Sequence, residues 1–228
     1  MEFLVYPDDA SVARHAASFI AAEARTAIKT RGRFVVAFSG GRTPWLMLHS
    51  LAVEKIPWNH VHVAQVDERV APAGDPDRNL PSLLESLNAV PLHPNNIHAM
   101  PVESTDLEAA VSRYARTLGE IAGLPPVFDL IHLGLGSDGH TASLVPGDPV
   151  LDVTDSNVAL TEVWQGRRRM TLTFPILNRS RRILWVVTGQ EKAEMLARLR
   201  DGDDTIPAGR IDRDKALVCA DRMAASLL

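Results

Sequence analysis

Two hydrophobic periods take turns along this chain. From Asp8 onward, Val12, Ala16, Phe19, Ala24 and Ile28 recur at helical spacing, with Asp8 and Asp9 placed to cap the start and Gly32 to end it. The uninterrupted apolar run RFVVAF (33–38) has the composition of a strand buried on both faces. A small-residue turn, SGGRTP, leads into a second helix reaching about Leu51. HVHVAQV (60–66) predicts the next strand, and the polar stretch DERVAPAGDPDRN after it predicts a loop. Helices are expected near 79–87 and 106–121, then a buried strand over 128–133. RRMTLTF (168–174), RILWVV (182–187) and ALVCA (216–220) predict three more strands, with a helix over about 191–200 between the last two. No internal repeat, low-complexity tract or linker-like shift in composition interrupts the pattern.

Repeated strand–helix units with short links predict an α/β fold. The expectation is one domain over residues 1–228, with a mainly parallel twisted sheet flanked by helices in a Rossmann-like arrangement. Such sheets bind ligands beyond the carboxyl ends of their strands, where the chain order reverses. Three polar loops directly follow apolar strands, and they carry the candidate chemistry.

The first loop is FSGGRTP (38–44). Gly40 and Gly41 let backbone N–H groups converge, Thr43 can cap the following helix, and Arg42 adds a charged fork; together they make a phosphate seat. The bland alternative is a capped turn with an exposed arginine. The Walker A spacing is absent, so nucleotide hydrolysis is not supported. The second loop, QVDERVAP (65–72), sets Asp67, Glu68 and Arg69 at the end of a buried strand, where one or more should face the cleft. Asp67 suits a base or a hydroxyl-binding carboxylate, and Arg69 an anion or a developing oxyanion; a solvated charge run is the alternative.

The third loop, HLGLGSDGHTASLVPG (132–147), contains Gly134, Gly136 and Gly139 at G-x-G-x-x-G spacing. A dinucleotide site needs a long helix after the glycines and an acid ending the next strand. Here only TASLV precedes PGDP, and no apolar strand leads to Asp152 or Asp155. Dinucleotide binding is therefore not expected. The glycines instead allow backbone to approach a ligand, and His140 is the side chain suited to moving protons near neutral pH. Asp138 would orient the imidazole or touch a substrate hydroxyl.

Other residues change the picture less. His60 and His62 share a strand face, but no further ligand stands at convincing spacing, so no metal site is predicted. GRRRM (166–170) and TGQEKAE (188–194) bring Arg169 and Lys192 to where they could close on a phosphate from the far side; Arg167 and Arg168 read as surface charge.

Composition, 46% hydrophobic and 23% charged, suits an ordinary globular core. A net charge of −4 provides no basic field for nucleic acid. Cys219 is the only cysteine, which excludes an intrachain disulfide and favours a reducing compartment. MEFLVYPDDA lacks a signal-peptide pattern, and the apolar run 183–187 is too short to span a bilayer. A cytoplasmic protein without membrane or nucleic-acid partners is expected, acting on a small molecule without a cofactor. Whether it is a monomer or a weak dimer stays open. A phosphate grip, a lone general base and an arginine for developing negative charge suit a small sugar phosphate. Water attack on an activated ester such as a lactone fits these parts, and so does proton shuttling in an isomerisation.

FSGGRTP, VDERVAP…DRN, LGLGSDGHTASLVPG, RRMTLTFPILNRSRRILWVVTGQEKAEML and IPAGRI, in this order, resemble the 6-phosphogluconolactonases over nearly the whole chain. The related glucosamine-6-phosphate deaminases share the D-G-H core, but continue with Ile-Ala-Phe-Asn-Glu-Pro where this chain has Thr141 to Pro146. They also carry Asp-Glu-Tyr in place of Asp67-Glu68-Arg69. The resemblance implies hydrolysis of 6-phospho-D-glucono-1,5-lactone in the oxidative pentose phosphate pathway. It implies His140 as general base for water and Arg69 as phosphate ligand or oxyanion partner. Gly40, Gly41, Arg42, Thr43, Arg169 and Lys192 would form the phosphate site. Departures are Val145 where phenylalanine is usual, and Arg78 where serine is common. A deaminase or isomerase using Asp67 as base, and a non-catalytic sugar-phosphate sensor on the same fold, are the rival readings.

Overall fold

The computed structural model describes residues 1–228. Its frame is a seven-stranded sheet in the order β1-β10-β9-β6-β2-β3-β5, in which every neighbouring pair is parallel. The strands are β1 (Glu2–Tyr6), β2 (Phe34–Phe38), β3 (Val61–Gln65), β5 (Ile97–His98), β6 (Leu130–Leu133), β9 (Ile183–Val187) and β10 (Ala216–Asp221). A second, antiparallel sheet has the order β4-β8-β7, from β4 (Asp67–Arg69), β8 (Arg169–Leu172) and β7 (Val158–Leu160). The α/β architecture on a mainly parallel sheet is the one the alternating periods predicted.

The sheet's two faces bury separate cores, and the pleat decides which residue goes where. Phe34, Val36, Phe38, Leu130, Leu184 and Leu217 pack on the side of α1 (Asp9–Arg31) and α2 (Arg42–Ala52). Val35, Ala37, Ile131, Ile183, Trp185 and Val218 pack on the other side. There they meet α4 (Leu107–Ala122), α6 (Ala193–Asp201) and the apolar face of the small sheet, Met170 and Leu172. The remaining helices are α3 (Asn79–Ser86) and α5 (Phe174–Arg179).

Helix ends follow local chemistry. The Asp8 carboxylate accepts from Ser11 N–H at 2.7 Å, and Gly32 ends α1 in the left-handed region at φ 78°. Burial of α1 centres on Val12, Ala16, Ile20 and Ala24; Phe19 and Ile28 lie at the edge of the stripe, half-buried.

Two expectations need correction, and three strands were not foreseen. DERVAPAGDPDRN does not begin as a loop: Asp67–Arg69 is a strand, paired with Arg169–Thr171. Its charges looked like a solvated turn because their buried partners lie elsewhere in the sequence. RRMTLTF enters the small antiparallel sheet and not the parallel one, and its last residue, Phe174, already begins α5. β1 was not foreseen, because an edge strand with Leu4 and Val5 exposed lacks the doubly apolar signature. The short strands β5 and β7 carry too few residues for a period to register.

Chain order reverses between β2 and β6, which are neighbours in the sheet but separated in sequence by β3, β4 and β5. Their carboxyl-end loops, 39–41 and 134–142, lie side by side at that switch point, where open α/β sheets bind ligands.

Candidate active site

A cleft of about 570 Å³ opens at the switch point. Of the residues singled out from sequence, Gly40, Gly41, Arg42, Thr43, Asp67, Arg69, His140, Arg169 and Lys192 all line it. Asp138 does not reach the wall but holds a residue that does.

The β6 loop is built around His140. Its imidazole Nδ1 lies 2.5 Å from Asp138 Oδ1, and its backbone N–H donates to the same oxygen at 3.1 Å. The loop closes on itself through Gly136 N–H to the His140 carbonyl at 2.8 Å. Burial opposes ionisation of Asp138, but the His140 backbone N–H and imidazole outweigh it and hold the carboxyl below its ordinary value. Two of the three motif glycines have identifiable reasons. A Cβ at Gly136 would overlap the His140 imidazole and come within 2.6 Å of Asp138 Oδ1. Gly139 has φ 84°, and a Cβ there would press on Ile206 at 2.7 Å.

The β4–β8 pairing supplies the charge. Arg69 and Arg169 are directly opposed in the antiparallel register, so two guanidinium groups leave the same face of the β4–β8 pair. Like charges in this relation are destabilising unless something anionic lies between them. Neither side chain forms an ion pair, and nor does Lys192. Arg69 donates to Asn79 Oδ1 at 2.5 Å. Arg169, only 6% exposed, reaches Gln165 Oε1 at 3.2 Å and Ser143 Oγ at 3.5 Å, and its Nε has no partner. Burial holds the Arg169 guanidinium below its ordinary value; Asp67 offsets this in part, and Arg69 adds to it.

Asp67 lines the cleft with its carboxylate taking the Ser143 hydroxyl at 2.6 Å. Glu68, fully buried, points away from the cleft. It accepts from Gln65 Nε2 and from the backbone N–H groups of Arg69, Asn79 and Leu80 at 2.8–2.9 Å. It thereby caps the start of α3 and sets Asn79 against Arg69. Arg78 does not line the cleft: its buried side chain pairs with Glu68 at 3.7 Å and with Glu103.

On the opposite wall, α2 starts at Gly41 with no side-chain cap. Thr43 does not cap it; its hydroxyl meets the Thr188 hydroxyl at 2.7 Å, joining the β2 and β9 loops. The helix-start N–H groups are thus left for a ligand, the arrangement that suits a phosphate. Arg42 lines the cleft, but its guanidinium is 81% exposed and pairs with Asp9 at 3.3 Å. Arg167 is not plain surface charge. It bridges Asp75 at 2.9 Å and Asp77 at 3.1 Å, fastening the β8 end of its hairpin to the loop after β4.

His62 pairs with His98 at 3.1 Å, not with His60, whose Nδ1 lies 3.1 Å from the Gly32 carbonyl. Burial pushes His98 down to about 4, with His62 adding to the shift. No three His, Cys, Asp or Glu side chains gather closely enough to hold a metal ion. Cys219 is buried in β10, and burial pushes its thiol up to about 12, so it is no nucleophile at neutral pH. Asn79, Ser143 and Trp164 were not singled out as site residues from the sequence. Asn79 and Ser143 gain meaning only from cross-chain contacts. Trp164 offered one signal, a lone tryptophan in a polar turn just before the arginine run.

Residues 7–219 match the family model described as glucosamine-6-phosphate isomerases/6-phosphogluconolactonase. A 6-phosphogluconolactonase of Synechocystis sp. is 39% identical over 178 residues, covering 76% of this chain and 74% of the relative. One from Mycobacterium tuberculosis is 33% identical over 239 residues, covering 98% and 97%. The crystal structure of a Thermotoga maritima 6-phosphogluconolactonase superposes with a TM-score of 0.85 at 27% identity, over 96% of this chain and 98% of that one. Through its motifs, its fold and these likenesses, the chain belongs to the glucosamine-6-phosphate isomerase/6-phosphogluconolactonase family.

Proposed function

We propose that this protein hydrolyses 6-phospho-D-glucono-1,5-lactone to 6-phosphogluconate, the lactone-opening step of the oxidative pentose phosphate pathway. The observation that carries the reading is a cleft in which Arg69, Arg169 and Lys192, none of them ion-paired, surround one imidazole held by a carboxylate. A cleft with three cations free of ion pairs calls for an anionic substrate, and a lactone is reactive enough to need only positioning, one base and an oxyanion partner.

In this reading Asp138 takes the proton on Nδ1 of His140 as a hydrogen bond, leaving Nε2 to accept a proton from water. The water oxygen forms a bond to the lactone carbonyl carbon, and the carbonyl electrons move onto oxygen, where an arginine stabilises them. As the carbonyl re-forms, the bond to the ring oxygen breaks. The imidazolium then returns its proton to that oxygen, and the acid product ionises. The uncapped start of α2 and Lys192 hold the phosphate together with Arg169, while Arg69 faces the oxyanion.

Arg69, where the deaminases carry a tyrosine after Asp-Glu, favours the lactonase over a deaminase, as does Thr141 to Pro146 in place of Ile-Ala-Phe-Asn-Glu-Pro. The test sets lactone hydrolysis beside ammonia release from glucosamine 6-phosphate. Hydrolysis above the spontaneous rate is expected, with His140→Ala lowering turnover by about 10²–10⁴-fold while product still binds. Ammonia release without lactone acceleration would establish the deaminase reading. Tight 6-phosphogluconate binding with no acceleration would establish a sensor.

A further inference from the structure

Trp164 touches both the imidazole and the buried arginine. Its ring lies 4.8 Å from the His140 ring, centroid to centroid, at an interplanar angle of 68°. The Arg169 guanidinium carbon sits 4.3 Å from the centre of the indole. We propose that Trp164 is a positioning residue for the reaction, fixing His140 and Arg169 at a set separation; the proposal rests on the lactonase reading above.

The turn that presents it is built for rigidity. Trp164 and Arg167 exchange backbone hydrogen bonds at 3.0 and 3.3 Å. Gln165 and Gly166 between them have φ 51° and 80°, the left-handed pair of a type I′ hairpin turn. The Arg167 bridges to Asp75 and Asp77 anchor the far side of this turn.

Each of the two held groups needs a third support. Asp138 fixes one atom of the imidazole, and a single hydrogen bond leaves the ring free to swing about it; the indole closes off that swing. Arg169 is buried without a carboxylate partner, and its Nε makes no bond. An aromatic face can hold a guanidinium in place without consuming its N–H donors and without cancelling its charge. A carboxylate in the same position would do both and would occupy the site meant for an anion. The indole therefore keeps Arg169 ready for the substrate and sets its distance from the proton-transfer group.

Trp164→Ala and Trp164→Phe are to be assayed on 6-phosphogluconolactone and on unphosphorylated glucono-1,5-lactone. With Trp164→Ala, KM for the phosphorylated lactone should rise about 3- to 30-fold, the range of a lost desolvated cation–π contact. kcat should fall on both substrates, and Trp164→Phe should recover most of both losses. In an Arg169→Met background the KM effect of Trp164→Ala should vanish. Should Trp164→Ala not fold, Trp164→Leu fills the volume without an aromatic face and carries the same expectation. Unchanged KM and kcat in Trp164→Ala or Trp164→Leu, or a Trp164→Phe as impaired as they are, would overturn the proposal. Native protein that does not speed lactone hydrolysis above the spontaneous rate would instead overturn the lactonase reading itself.

Discussion

Gly136→Ala adds one methyl group to the enzyme and should nearly silence it. The added Cβ would overlap Nδ1 and Cε1 of His140 and stand 2.6 Å from Asp138 Oδ1. The backbone is no obstacle, since Gly136 is not among the residues with positive φ. The strain therefore falls on the imidazole, which must be pushed from its seat between Asp138 and Trp164 and lose its 2.5 Å contact with Asp138. A displacement of about 1 Å at a reacting group costs about 10²-fold in rate, or about 2.7 kcal/mol of transition-state stabilisation. Stability should hardly suffer, because replacing glycine by alanine at a permitted conformation stiffens the unfolded chain and contributes about 0.4–1 kcal/mol in the other direction. The assay is kcat and KM for the lactone beside a thermal melt. The expected result is a kcat lowered about 100-fold with a Tm within a few degrees of the native value. In a His140→Ala background Gly136→Ala should cost nothing more, since both changes act through one group. A kcat within about threefold of native, or a further tenfold loss in the double variant, would refute the reasoning.

Other perturbations test other parts of the molecule. Glu68→Ala removes the cap on α3 and leaves Arg78 with a weaker partner set, so urea unfolding should show a loss of about 3–5 kcal/mol; a loss below about 1 kcal/mol would mean that the buried carboxylate is not structural. Arg69→Gln should lower kcat more than it raises KM if Arg69 faces the oxyanion, and the opposite split would move it to the phosphate. Acid should destabilise the fold through two histidines that burial keeps neutral, His132 at about 3 and His98 at about 4, against an ordinary 6.5. The folded state binds fewer protons than the unfolded, so stability is full above about pH 6.5 and falls as pH drops toward 4. Urea midpoints at pH 7.5, 5.5 and 4.5 measure this, and His132→Met should flatten the fall; no flattening would show that His132 finds a partner when protonated.

How much of this was readable in the sequence depended on whether the information was local. β2, β6, β9 and β10 announce themselves because burial on both faces leaves an uninterrupted apolar run. β1 hides because an edge strand need not be apolar, and β4 because Asp67, Glu68 and Arg69 look solvated until Ser143, Asn79 and Arg78 are brought to them. The histidine loop was legible for a similar reason: glycines, acid and imidazole sit within five residues, and their geometry is local. The opposed arginines were not, since the pairing of residue 69 with residue 169 is a property of register. Nor was the outward lean of Arg42 legible, because a glycine-rich turn predicts the backbone seat but not which way a long side chain leaves it.

The two sheets divide the labour between them. Proton transfer belongs to loops of the large parallel sheet, whereas the opposed arginines and the indole ride on the small antiparallel one. Neither sheet makes the site alone: His140 rides on a loop of one, and the guanidinium and indole beside it ride on the other. The cleft is therefore a seam, complete only where the two sheets are docked, and whatever loosens that docking should switch off activity before it unfolds either sheet.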